Sequence, residues 1–120
     1  MGNSIDLVRC ITEAIREKKG KEIANMNLVR LGYAMCDNFI VCHGDSTTQV
    51  SAIAEWVEEK VKERAQIHLA HREGSEHARW ILLDYGSVVV HVFIKEAREY
   101  YRLEELWGDA DITILKEEDQ

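Results

Sequence analysis

The chain contains no proline, so nothing in its 120 residues marks a kinked linker or a proline-bounded domain border. Cysteine is scarce. Cys10, Cys36 and Cys42 form an odd set without C-x-x-C spacing, each in an apolar stretch where a small hydrophobe fits. They read as reduced core thiols, which excludes a disulfide scaffold and argues against a metal or redox role. Basic residues are outnumbered, 15 against 22 acidic ones, for a formal net charge of -7. Gripping a nucleic acid over a broad surface requires Lys and Arg to neutralise phosphates, so that class of function is excluded. No apolar run approaches the ~20 residues of a membrane helix. The start Met1-Gly2-Asn3-Ser4-Ile5-Asp6 lacks the basic flank and apolar stretch of a signal peptide. Asp6 also stands where a myristoylation signal needs Ser or Thr. The expected setting is the cytoplasm, away from any membrane.

What is present supports one core. A chain of this length with 46% hydrophobic residues buries about two-thirds of its unfolded surface, enough for a single domain. Residues Asn3 to Gly20 carry Ile5, Val8, Ile11, Ala14 and Ile15 at helical spacing and finish on Lys18, Lys19 and Gly20. Two short apolar stretches, Ile23 to Val29 and Asn38 to Cys42, flank the turn at Gly32-Tyr33 and predict strands. After His43-Gly44-Asp45, Ser46 and Gln49 form a capping-box pattern opening a helix with Val50, Ile53, Ala54, Val57 and Val61 on one face. A short strand is expected around Ile67 to His71.

The run from Trp80 to Ile94 predicts a β-hairpin turning at Tyr85-Gly86. Pairing places Trp80, Leu82, Val89, His91 and Phe93 on one face, with His91 opposite Trp80, and Ile81, Leu83, Val88, Val90 and Val92 on the other. A hairpin with one wet side alternates apolar and polar residues; this one is apolar on both sides, so each face needs cover. Two amphipathic helices can cover one face. The other has only Ala97 to Trp107, with Tyr100, Tyr101, Leu103, Leu106 and Trp107. Either part of the Trp80 face stays open as a docking surface, or Trp80 and Trp107 pack together in a second small core. Beyond Gly108, Ile112 to Leu115 are expected to dock weakly and the acidic end to be disordered, which divides the chain into a domain over 1–108 and a flexible tail over 109–120.

Several strings, taken in order, resemble the ribosomal silencing factors of the Iojap-like family. They are Gly32-Tyr33 followed by Asp37-Asn38-Phe39-Ile40-Val41, Gly44-Asp45-Ser46 followed by Gln49-Val50, and Glu73-Gly74 followed by Trp80 to Gly86. Val88 to Phe93 and Arg98-Glu99-Tyr100-Tyr101-Arg102-Leu103-Glu104-Glu105-Leu106-Trp107 complete the set. The likeness runs from the first helix to Trp107, leaving the tail outside it. It implies a single-domain, nucleotidyltransferase-like α/β fold, a mixed sheet flanked by helices, without catalytic residues, cofactor or metal. It further implies a translational repressor that binds large-subunit ribosomal protein fourteen and sterically blocks joining of the small subunit. The family's contact surface maps onto Trp80, Leu82, His91, Arg98, Tyr101, Leu103, Glu104 and Trp107.

Two other readings compete. A nucleotidyltransferase with Mg²⁺ could hold a phosphate at the helix start after Gly44-Asp45-Ser46. Such an enzyme needs paired strand carboxylates, whereas Asp84 has Leu82 and Gly86 as its alternate neighbours. A homodimerisation module could instead use the uncovered face against itself. His68, His71 and His77 match no zinc spacing, and His91 is either part of the contact face or a neutral core histidine.

Overall fold

A computed structural model describes residues 4–32 and 34–115, the side chains of residues 4 and 5 excepted. The Ile5 side chain, Tyr33 and the acidic end over 116–120, all read above, lie outside what is described. Helix α1 (Ser4–Glu17) leads to strand β1 (Lys21–Asn27), a 3₁₀ turn over Val29–Leu31, and β2 (Asn38–Gly44). Helix α2 (Thr47–Ala65) follows, then β3 (His71–Glu73), β4 (Trp80–Asp84), β5 (Val88–Ile94), α3 (Lys95–Tyr101), the single turn α4 (Leu103–Leu106) and β6 (Asp111–Ile114). The six strands form one sheet in the order β3-β4-β5-β2-β1-β6. Only β2 and β5 run parallel, so this is the mixed α/β sheet flanked by helices that the sequence led us to expect.

The helical layer forms for the reason its periodicity implied. Leu7, Ile11, Ala14 and Ile15 of α1 and Val50, Ile53, Ala54, Val57 and Val61 of α2 are all buried. They close over Ile40, Ile81, Leu83, Val88, Val90 and Val92 of the sheet. The two helices are stapled outside the core by Trp56, whose indole N–H donates to Glu17 Oε1 at 2.8 Å, with Arg64 donating to the same oxygen at 3.1 Å. Those hydrogen bonds hold the Glu17 carboxyl below its ordinary pKa. The ammonium groups of Lys18 and Lys60 lie 4.6 and 4.3 Å from the centre of the Trp56 ring, close enough for cation–π attraction.

Helix ends depart from expectation in instructive ways. At the end of α1 the left-handed residue is Lys19, at φ 62, not Gly20. Gly20 is small because a Cβ there would run into the Ile15 side chain. At α2, Ser46 accepts from the Gln49 N–H at 3.1 Å, but the glutamine carbonyl reaches past Ser46 to the Asp45 N–H at 2.8 Å. Gln66, left-handed at φ 55, ends α2, and the strand expected at Ile67 to His71 begins four residues later, at His71.

The hairpin register also differs. Trp80 lies opposite Phe93, and His91 lies opposite Leu82. The two-residue turn moves on by one residue, to Gly86-Ser87, because the Tyr85 N–H donates to the Val88 carbonyl and Asp84 Oδ1 accepts from the Gly86 N–H. A slip of two residues preserves the face of every side chain, so the two-sided apolar character is unchanged. Beyond Gly108 the stretch expected to dock does so: residues 111–114 form β6 and pair antiparallel with β1, so the sheet extends into the region given above as a tail.

Two glycines near the hairpin have positive φ for different reasons. A Cβ on Gly74, at φ +87, would collide with the Trp80 carbonyl oxygen, whereas one on Gly86, at φ +88, meets open space. Gly86→Ala is expected to lose about 1 kcal/mol, the left-handed cost alone. Gly74→Ala adds displacement of β4 and is expected to lose roughly 3 kcal/mol. Urea unfolding of both variants checks the difference.

Candidate docking site

The face of the sheet away from α1 and α2 is built from alternate residues of three adjoining strands: Trp80 and Leu82 of β4, Val89, His91 and Phe93 of β5, and Phe39, Val41 and His43 of β2. Its cover is the segment that leaves β5 directly, α3 and α4. Across it runs a row of rings. Trp107 stands edge-on to Phe39 at 5.4 Å, Phe39 edge-on to His91 at 4.7 Å, Trp80 lies 5.8 Å from His91, and Tyr101 lies 4.7 Å from Trp80. Tyr100 continues the row edge-on to Tyr101 at 5.0 Å. Trp80 and Trp107 therefore do not form a private second core; two other rings separate them.

Exposure sorts the eight candidate residues into two groups. Tyr101 is 48% exposed, and Trp80, Leu82, Glu104 and Trp107 are half-buried. His91, Arg98 and Leu103 are buried, so they shape the surface from beneath and are not open to a partner. Two open residues were not among the candidates: Tyr100, 80% exposed, and Leu106, 74% exposed. Both belonged to the recognised aromatic segment. The segment breaks at Arg102, a non-glycine residue left-handed at φ 51, which separates α3 from α4 and is not signalled by the side-chain pattern. Beside Trp80, Tyr100 and Tyr101 an open groove of about 670 Å³ continues to Gly74, His77 and Arg79.

Arg98 holds this cover together. Its guanidinium donates to Glu104 Oε2 at 2.6 and 3.2 Å, to the Lys21 carbonyl at 3.3 Å and to His43 Nδ1 at 3.0 Å. One side chain thus joins α3 to α4, β1 and β2. Because arginine has no acceptor, His43 Nδ1 must be the acceptor and the imidazole neutral. Burial, reinforced by Arg98, lowers the His43 pKa.

His91 is neutral for a similar reason. Indole N–H is a donor only, and that of Trp80 points at His91 Nδ1 at 3.0 Å, so the ring proton sits on Nε2, which is buried without a hydrogen-bond partner. Burial alone pushes its pKa down to about 4. The groups the enzyme reading would need are otherwise engaged: Asp84 shapes the hairpin turn, and Ser46 and Gln49 cap α2. What the site offers is apolar and aromatic contact area.

The family described as "Ribosomal silencing factor during starvation" matches residues 2–120, including the C-terminal stretch expected to fall outside the likeness. The chain is 43% identical over 111 residues to the ribosomal silencing factor of Halalkalibacterium halodurans, covering 92% of this chain and 93% of that one. A crystal structure of a Chromobacterium violaceum protein superposes with a TM-score of 0.84 at 37% identity, covering 89% of this chain and 88% of that one. A more distant similarity, 33% identity over 78 residues, is to the mouse protein named mitochondrial assembly of ribosomal large subunit protein 1, covering 59% of this chain and 32% of that one.

The buried His91 makes the fold acid-sensitive. Its folded pKa, about 4, lies below the ordinary 6.5, so between those values the unfolded chain binds the extra proton. Stability is therefore full above pH 6.5 and is lost as pH falls toward 4, by about 3 kcal/mol from this group. Denaturant unfolding at pH 7 and pH 4 is expected to show that much less acid loss in His91→Gln, which can still accept from Trp80 but does not titrate.

Proposed function

Because the chain belongs to the ribosomal silencing factor family, matched over residues 2–120, we propose that it docks through the aromatic row onto ribosomal protein fourteen of the large ribosomal subunit and blocks joining of the small subunit. The observation that carries this reading is the second sheet face: a continuous row of rings ends in Tyr101 and Tyr100, open to solvent, and exposed Leu106 precedes Trp107, the ring at its other end. Protein interfaces concentrate binding energy in such partly buried aromatic anchors. The name of the mouse relative, which refers to the ribosomal large subunit, supports the choice of particle.

Electrostatics supports a protein contact. Ribosomal proteins are generally basic, and a body of net charge -7 is steered toward them and repelled by bare RNA. Exposed Glu96 lines the groove beside Trp80, Tyr100 and Tyr101, and exposed Glu99 and Glu105 lie on the same covering segment and serve that encounter. The repression is steric: a small body seated where the subunits meet occupies space the other must enter, and no bond need form or break. The site of action in this reading is the cytoplasm; among the described residues no helix is long and apolar enough to cross a membrane.

The clean test uses the open residues. Trp80→Glu would set a charge against Phe93 and remove the donor to His91, disturbing the fold as well as the surface. Tyr101→Ala combined with Leu106→Asp changes side chains that are 48% and 74% exposed. It is expected to keep the wild-type unfolding midpoint within a few degrees and to weaken co-sedimentation with purified large subunits by about 30-fold, roughly 2 kcal/mol. Undiminished binding by the folded double variant would refute this surface. Loss of self-association in place of loss of subunit binding would favour a dimerisation module.

A further inference from the structure

The segment that carries Tyr100, Tyr101, Leu106 and Trp107 has little to hold it in shape by itself. Helix α3 has seven residues and α4 four, too short to persist without tertiary support, and the left-handed Arg102 separates them. At its start the segment is fixed by continuity with β5 and by the Arg98–Glu104 pair. At its end the chain turns at Gly108, with the Ala110 N–H donating to the Trp107 carbonyl at 2.9 Å, and enters β6. The geometry of Trp107 against Phe39 is therefore set from both ends.

The C-terminal fastening is of an unusual kind. β6 is the outermost strand on its side of the sheet, four residues long, with Asp111, Thr113 and Ile114 exposed and Ile112 partly buried. It is joined to β1 by its ladder and by the Leu115 N–H donating to the Ile23 carbonyl at 2.8 Å. Ala110, Ile112 and Leu115 pack partly buried against the core, and the polar side-chain fastening comes from Arg30 in the 3₁₀ turn, which donates to Asp111 Oδ1 at 2.9 Å, to Asp111 Oδ2 at 3.3 Å and to the Asp109 carbonyl at 2.9 Å. This clasp lies in solvent, its two side chains 65% and 62% exposed. Strands held by backbone bonds and a surface ion pair, with little buried apolar area, open far more readily than the core.

We propose that β6 is a releasable latch: closed, clasped by Arg30, it holds the aromatic segment in its docking shape, and open, it frees Trp107 from Phe39 and disables the surface while the rest of the sheet stays folded. This rests on the docking reading above and adds a means of regulating it. A protein whose competent form is only partly populated binds more weakly in proportion to that fraction, so whatever shifts the latch sets the apparent affinity. High salt, which screens the exposed clasp, shifts it toward the open form.

Two variants release the latch by unrelated means. Since the Leu115 N–H pairs with Ile23, the alternation of an antiparallel ladder directs the Thr113 N–H at Asn25, and Thr113→Pro removes that donor. Arg30→Glu leaves the ladder intact and sets like charges face to face. In amide exchange of the full-length protein, Arg30→Glu is expected to lose protection at residues 113 and 115 and Thr113→Pro at residue 115, proline having no amide of its own, and both are expected to keep protection in β2 and β5. The Trp107 indole is expected to become solvent-exposed, and binding to purified large subunits to fall at least ten-fold. Loss of β6 protection with Trp107 unmoved, or with binding equal to wild type, overturns the latch. Collapse of protection in β2 and β5 also overturns it, since β6 would then belong to the cooperative core. If the wild-type protein itself does not bind large subunits, the docking reading fails, while the exchange and indole measurements still decide whether β6 governs Trp107.

Discussion

The structure depends on a sheet that is apolar on both faces and has two long helices for only one of them. Val88 to Ile94 is buried at every residue, which a strand achieves only when both its sides are covered. The helical side is solved conventionally, by α1 and α2 over aliphatic side chains. The opposite side is roofed by the few residues that leave β5, and such a short roof cannot cover the width of three strands. The open rings are the part of the sheet that remains uncovered, so the feature most suited to binding follows from a shortage of chain.

A roof that short needs fixing from beneath, and Arg98 supplies it. A guanidinium buried with one carboxylate, one backbone carbonyl and one imidazole nitrogen makes four hydrogen bonds and has its charge compensated by Glu104. The geometry also explains why two histidines beneath the roof are neutral: one faces a cation, the other a donor-only indole. Bulk and polarity are balanced within a single layer. Among the described residues the buried Nε2–H of His91 meets no hydrogen-bond partner, and leaving such a group unmet typically costs about 1–3 kcal/mol.

Much of this was legible in the sequence because it rests on parity and periodicity. The alternation in Trp80 to Leu83 and Val88 to Phe93 assigned each side chain to its observed face despite a register that moved by two, since a pleat distinguishes odd from even and nothing finer. The helix-forming runs and the Ser46 cap were visible for the same reason. What stayed hidden is conformation that side-chain pattern does not encode. Lys19, Gln66 and Arg102 are left-handed without being glycine or asparagine, and each ends a helix where propensity alone allows it to continue. β6 was concealed by composition: a short apolar stretch in an acidic surround resembles a weakly docked tail until Arg30, 81 positions from Asp111 in sequence, is seen to clasp it.

The candidate residues inherited from the family resemblance sort by depth, and that affects how the site should be understood. His91, Arg98 and Leu103 sit below the surface, whereas Tyr100 and Leu106 sit on it. Residues of both kinds would be sensitive to substitution, yet for different reasons: the buried ones define where the rings stand, the exposed ones touch whatever arrives. A surface made of the same atoms that roof the core cannot loosen without uncovering Phe39 and Trp80. Binding by a partner would complete the cover that the chain leaves short, so partner affinity and closure of the fold are linked through the same buried area. That linkage favours a partner with an apolar patch of matching shape over one that offers charge alone, because charge is already balanced inside the roof and apolar cover is what this face still lacks.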